Sequence, residues 1–174
     1  MALSGPIHKY SDVTVFMNWT TKARVRSSDE IQEGDRHRFE VEVDHPAVEA
    51  FAGVSGDFNP LHVDPQYAHS VVYRHAVAHG ALQVAWASQA VGMWLIGARC
   101  LIHKITSSFS APLIYPCRIA VESIIQSWSS RAGAGRILVS VKNAGSTEIF
   151  SQHLVEAGIH SEPGKPRTDL KPEA

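Results

Sequence analysis

The sequence predicts an α+β domain in which a curved antiparallel sheet wraps around one long central helix. Three observations carry that expectation. The chain has 174 residues, 44% of them hydrophobic and 19% charged, which suits one domain with a substantial core. From His79 to Ala98 there is no aspartate, glutamate, lysine or arginine, so a helix over that span is apolar all round and needs covering on most sides. Beyond it lie only strand signals, in four successive runs, and a strongly curved sheet can cover such a helix.

Residues 1–27 read as an N-terminal extension in which Phe16 and Trp19 can pack back on the domain. Arg38 to Val43 (RFEVEV) alternates and reads as a strand. His45-Pro46 then opens a short helix over AVEAFA, because proline is tolerated in a first turn. Ser55 to Pro65 (SGDFNPLHVDP) is dense in glycine, proline, asparagine and aspartate and reads as a loop. A short helix follows near Gln66 to Ser70, and the long helix runs from about Gly80 to Ile96. Strands are expected at Cys100 to Phe109, Arg118 to Ser127, Arg136 to Asn143 and Glu148 to Gly158. Prolines at 112 and 116 separate the first two, and the turn Ala132-Gly133-Ala134-Gly135 separates the middle pair. Residues 28–160 thus form one domain, and 161–174, with three prolines and mixed charges, a loose tail. This is the logic of a hot-dog fold, with the sheet as bun and the helix as filling.

Several function classes are disfavoured. Sixteen basic and seventeen acidic residues leave a net charge of −1 with no basic run, so no nucleic-acid surface is expected. Cys100 and Cys117 make neither a disulfide framework nor a metal cluster and point to a reducing compartment. The first residues lack the pattern of a secretory signal, so the expected location is cytoplasmic and the Asn18-Trp19-Thr20 sequon is incidental. The uncharged stretch has membrane-spanning length, but Gln83, Ser88, Gln89 and three glycines make it a poor fit to lipid.

The chemistry sits between the first strand and the long helix. FAGVSGDFNPLHVDPQYA, followed by AHGAL, closely resembles the signature of the MaoC-like, (R)-specific enoyl-CoA hydratase family. That signature is an SGD-x-NP-x-H-x-D loop and then an HG at the start of the central helix. Asp57, Asn59, Pro60, His62, Asp64, His79 and Gly80 all fall on it, and the resemblance runs from about Glu33 to Gly158. It implies a hot-dog fold, in agreement with the pattern above. It departs from the family at Ala111 to Arg118, where Cys117 stands at a position commonly held by a glycine-like turn residue. That affects the tunnel lining, and so the acyl group rather than the reaction.

Hydration of an α,β-unsaturated thioester needs a base near water, a proton source for Cα and donors for the thioester oxygen. Asp57 and His62, five residues apart on one loop, can converge on one water and hold or return a proton near neutral pH. The Gly80 N–H, at the amino end of an apolar helix, is a natural oxyanion donor. The resemblance implies that Asp57 and His62 are the catalytic pair, that Gly80 contributes to the oxyanion site, and that Ser88 supplies a hydroxyl nearby. A helix serine commonly just bonds its own backbone. Asn59 and Pro60 read as loop-shaping and Asp64 as the amino-cap of the Pro65 segment. His79 divides between a packed helix-start residue and a supporting role.

No metal is expected. His75 and His79 are spaced i, i+4 and His62-x-Asp64 adds ligand types, but the helix begins only at Gly80, and the zinc-protease glutamate is missing. His8, His37, His45, His69, His103, His153 and His160 read as surface or loop residues.

The expected activity is therefore that of a lyase interconverting trans-2-enoyl and (R)-3-hydroxyacyl thioesters, the (R) outcome being implied by the resemblance. Coenzyme A or the phosphopantetheine of an acyl carrier protein is part of the substrate, and no separate cofactor is needed. Carrier-protein use would favour a basic patch at the tunnel mouth, for which Arg99, Lys104, Arg118, Arg131 and Arg136 are available. The alternatives are a hot-dog thioesterase, for which an Asp/His pair would be superfluous, and a non-catalytic acyl-thioester-binding module. A homodimer is expected, because a sheet of about five strands leaves an open edge and a partly bare helix.

Overall fold

The computed structural model describes residues 23–71 and 73–160. The proposed packing of Phe16 and Trp19, the sequon and the tail at 161–174 lie outside the described residues. Five antiparallel strands form one sheet: β1 (Arg36–Val43), β2 (Cys100–Phe109), β3 (Cys117–Ser129), β4 (Ala134–Asn143) and β5 (Ile149–Ile159), in the order β1-β3-β4-β5-β2. The fold is the expected α+β hot-dog, with the long helix against the sheet.

Inward-facing residues alternate along the strands. Val121, Ile125, Ile137, Val139, Val141, Val155 and Ala157 are at most 1% exposed and form one core with Trp86, Val91 and Leu95 of the helix. The helix has two parts. An α segment, α4 (Gly80–Gln89), passes into a π-helical segment (Ala90–Leu95), so a single expected helix changes pitch at Ala90. In the wider turn Ile96 N–H bonds the carbonyl of Val91. The spacing of five puts Ala90, Val91, Leu95 and Ile96 all in the core. Together the two parts touch all five strands. The covering is incomplete: Ala81, Ala85, Ser88 and Gln89 stay exposed along one side.

Residues 24–26, the described end of the expected extension, bond the far end of the helix. Arg24 N–H bonds Met93 O at 2.9 Å, Ala98 N–H bonds Arg24 O at 2.7 Å, and the Arg26 guanidinium bonds Leu95 O at 2.8 Å. The first and third of these bonds supply donors to carbonyls at the end of the helix, where no further turn provides them. Arg26 also pairs with Asp35 at 2.6 Å.

Three short helices lead to the site. Asp44 caps α1 (His45–Ser55) by accepting from Ala47 N–H, and Gly56, at φ 76°, ends it. The stretch expected to be a loop contains a one-turn helix, α2 (Pro60–Val63), and runs on into α3 (Pro65–Ser70). Each begins with an Asx side chain capping a proline-led turn. Asn59 Oδ1 accepts from Leu61 N–H, and Asp64 Oδ1 from Gln66 and Tyr67 N–H. Proline at a first helical position and an Asx cap before it favour a turn of helix over an open loop.

Candidate active site

Local hydrogen bonds aim the Asp57 carboxylate. Its backbone N–H bonds Ser55 Oγ, and its own Oδ1 accepts from Asn59 N–H at 3.2 Å. Oδ2 then remains available, 4.0 Å from His79 Nε2, on a side chain 53% exposed. Asn59 and Pro60 set the α2 turn that carries His62, and Asp64 closes it with a bond from its N–H to Pro60 O.

His62 is half-buried, with Nδ1 2.6 Å from Val77 O. A carbonyl only accepts, so Nδ1 carries the proton and the neutral ring has its lone pair on Nε2. The Tyr115 hydroxyl donates to His62 O, and Val77 N–H bonds Leu61 O. Residues 76–78 are braced by the segment that departs from the family pattern: Ala78 N–H bonds Leu113 O, and Tyr115 N–H bonds Ala76 O. Cys117 begins β3 rather than occupying a turn.

His79 is 1% exposed and directly precedes α4. Its Nε2 lies 2.9 Å from Asp57 O and therefore donates. Its ring packs against Phe51 and against His62, with centres 5.1 and 3.9 Å away. His79 Nδ1 is buried with no hydrogen-bond partner among the described residues. Polar atoms of Asp57, His62 and His79 all lie within 4.8 Å of one another. A small cation could be held by this carboxylate and one nitrogen from each ring. Of the donors weighed from spacing, His62 and His79 meet here, while His75 and Asp64 are not part of the group.

The His62 ring opens on a cavity of ≈ 380 Å³ lined also by Tyr73, Val77, Gly80, Gln83 and Phe109. Gly80 is the first residue of α4, so its N–H has no intrahelical acceptor. A Cβ built on Gly80 would lie 3.2 Å from the Phe109 ring, so the glycine lets that ring close one wall of the cavity. A larger cavity of ≈ 660 Å³, lined by His45, His69, Arg74, His75 and Tyr115, holds none of the Asp57, His62 and Gly80 groups.

Ser88 is the sequence-derived residue that the chain does not bring to this place. It lies two turns beyond Gly80, about 12 Å along the axis, exposed and outside the cavity lining. Gln83 and Phe109 were missed. Gln83 carried a signal, as the first polar side chain after Gly80, one turn into an otherwise largely apolar helix. His153 also corrects the surface assignment. It is fully buried in β5 because it falls in phase with the inward positions Ser151, Val155 and Ala157.

Fold and site together define a hot-dog domain whose carboxylate and histidine meet at the amino end of the central helix. The model of the MaoC like domain matches residues 15–148, and the chain belongs to that family. Among curated relatives, an (R)-specific enoyl-CoA hydratase from Aeromonas caviae is 29% identical over 96 residues, 55% of this chain and 72% of that protein. One of the same description from Rhodospirillum rubrum is 31% identical over 85 residues, 49% of this chain and 59% of that protein. Among solved structures, the A. caviae (R)-hydratase superposes with a TM-score of 0.71 at 22% identity, over 75% of this chain and 98% of its own. An R-hydratase from Pseudomonas aeruginosa gives 0.69 at 21%, over 83% and 96%. At such identities the structures speak for the fold. Among the described residues no helix is long and apolar enough to cross a membrane.

Proposed function

We propose that this protein is a hydro-lyase that interconverts trans-2-enoyl and (R)-3-hydroxyacyl thioesters through a water held by Asp57 and His62. The observation that carries the reading is the bond from His62 Nδ1–H to Val77 O. It leaves the Nε2 lone pair free on a ring that lines a cavity together with Gly80, and a ring nitrogen of His62 lies within 4.8 Å of the Asp57 carboxylate. In hydration the pair takes a proton from water while the oxygen bonds to C3. The C2=C3 electrons move onto the thioester as an enolate, and return of a proton to Cα completes the addition. The Gly80 N–H and the dipole of α4 stabilise the enolate oxygen as charge develops.

The thioester carbonyl is the electron sink, so no prosthetic group enters. Coenzyme A or a carrier protein's phosphopantetheine belongs to the substrate, and the relatives described as enoyl-CoA hydratases favour coenzyme A. A homodimer is part of the reading: β1 and β2 are the two sheet edges, and the Ala81–Gln89 side of α4 is exposed. Ser88 on that side would then lie at the subunit interface. The two separate cysteines and balanced charge favour a cytoplasmic enzyme.

The test is loss of the enoyl-thioester absorbance of crotonyl-CoA with the wild type, Asp57→Asn and His62→Ala. Rapid loss with the wild type alone, the variants remaining folded, and an (R)-3-hydroxybutyryl product support the reading. Release of free thiol instead turns it to a thioesterase. Binding without turnover turns it to an acyl-thioester-binding module.

A further inference from the structure

A chain of polar side chains runs through the core beside the cavity. Gln83 Oε1 lies 2.6 Å from Ser151 Oγ, which is 2.9 Å from His153 Nε2, and His153 Nδ1 is 2.9 Å from Ser107 Oγ. Gln83 is 2% exposed, and Ser151 and His153 are fully buried. No hydrogen bond within this chain is redundant, so its direction can be worked out from the donors and acceptors.

Ser151 Oγ donates to Gln83 Oε1, so it accepts from His153 Nε2, and His153 Nδ1 is left to accept from the Ser107 hydroxyl. Burial disfavours a charged His153, and a neutral ring accepting at Nδ1 must carry its proton on Nε2. That proton goes to Ser151 Oγ, whose own hydrogen goes to Gln83 Oε1. The amide is thereby oriented with its NH2 as the remaining end. Gln83 lines the cavity shared by His62 and Gly80, and Nε2 is the end not taken up by Ser151. A helical side chain leans toward the turn before it, so Gln83 reaches back toward Gly80, three residues earlier on the same face.

We infer that the Gln83 amide N–H is a second donor, beside the Gly80 N–H, to the carbonyl oxygen of the bound thioester. Ser151 and His153 are positioning residues that stop the amide from turning its oxygen to the substrate. This inference deepens the hydratase reading of the same cavity. An oxygen accumulating charge gains most from two fixed donors that need no rearrangement, and a buried hydrogen-bonded chain supplies that fixity.

The test separates the carbonyl from the rest of the ligand. Binding of butyryl-CoA, which has the carbonyl but no double bond to hydrate, is compared by calorimetry with that of its thioether analogue S-butyl-CoA. Gln83→Leu is expected to weaken butyryl-CoA about tenfold, the loss of one hydrogen bond, and to leave the thioether unchanged. Gln83→Glu, which replaces the donor with an acceptor, should do the same. Ser151→Ala, which frees the amide to turn over, should narrow the preference for the carbonyl, and Ser151→Thr should restore it. Should Gln83→Leu fail to fold, the Ser151 pair reads the same ratio.

Equal loss for both ligands, no loss for either, or a wild type that does not bind butyryl-CoA overturns the inference. In nitrogen-15 spectra His153 should be the Nε2–H tautomer. A proton on Nδ1 would turn the Gln83 oxygen to the cavity and also overturn it. A wild type that binds with this carbonyl preference yet does not hydrate crotonyl-CoA refutes the hydratase reading while sustaining the Gln83 assignment.

Discussion

The imidazoles of His62 and His79 lie with centres 3.9 Å apart and planes 34° apart, each held by a backbone carbonyl on one nitrogen. His62 Nδ1–H points to Val77 O, and His79 Nε2–H to Asp57 O. One ring thus presents its base to the cavity while the other anchors the strand of loop that carries the carboxylate. The pairing makes the loop and the helix start a single unit.

Replacing either member of the proposed Asp57/His62 pair should affect rate more than stability. Asp57→Asn and His62→Ala are expected to lower kcat for crotonyl-CoA by about 10²–10⁴, the range for lost acid–base groups. The melting temperature of Asp57→Asn should stay near that of the wild type, because Asp57 is exposed and its loop keeps the Asn59 and Asp64 caps. His62→Ala should melt somewhat lower, because it gives up the bond to Val77 O and the packing on His79.

His79→Phe should behave differently. The ring stays between Phe51 and His62, but Asp57 O loses its donor. We expect a loss of about 1–3 kcal/mol in unfolding free energy, together with a fall in kcat as the carboxylate drifts. Denaturant melts and steady-state kinetics on one sample measure both.

Prolonged dialysis against a chelator should leave hydration unchanged, since the proposed chemistry uses the three donors of Asp57, His62 and His79 for proton transfer and loop anchoring. Activity lost on dialysis and restored by a divalent ion would reassign these residues to metal binding.

Gly97→Ala should be among the most damaging single changes. Gly97 has φ +91°, and an added Cβ would lie 2.0 Å from the carbonyl oxygen of Arg24. The strain and the backbone clash together should cost about 3 kcal/mol or more and detach residues 24–26 from the helix end. Thermal melts and proteolysis in the Arg24–Arg26 segment report these two effects.

Stability should fall as pH drops from 7 toward 5. Burial lowers the proton affinity of His153, and burial followed by Arg24 lowers that of His37, from the ordinary value of 6.5. The unfolded chain therefore binds more protons than the native one below about pH 6.5, and native stability is lost in that direction. Asp35 and Glu122, whose carboxyls are held low despite burial by Arg26 and by a bond from Lys142 respectively, act only further down in pH. Melting temperature against pH should show the decline, with a shallower slope in His153→Gln.

Much of the fold was legible because its signals are local. The strand Cys100–Phe109 was placed to the residue and the others to within a few residues, since alternation and glycine or proline breaks depend on neighbours in the chain. The turn at Pro60 was hidden because a proline and an asparagine signal a loop and a capped helix equally. The change of pitch at Ala90 was also hidden, since burial by five strands decides which residues of an all-apolar helix face inward.

The sequence alone determined which chemistry was available: a carboxylate and an imidazole five residues apart, and a glycine opening an apolar helix. Only the tertiary structure decided which atoms could act. His62 presents Nε2 because Val77, fifteen residues on, holds Nδ1. Gln83 and Ser151 belong together because β5 and α4 pack face to face, across 68 residues of chain. Hydrogen-bond direction is set by the partner a group meets in space, and the identity of that partner is a property of the packed chain rather than of any segment.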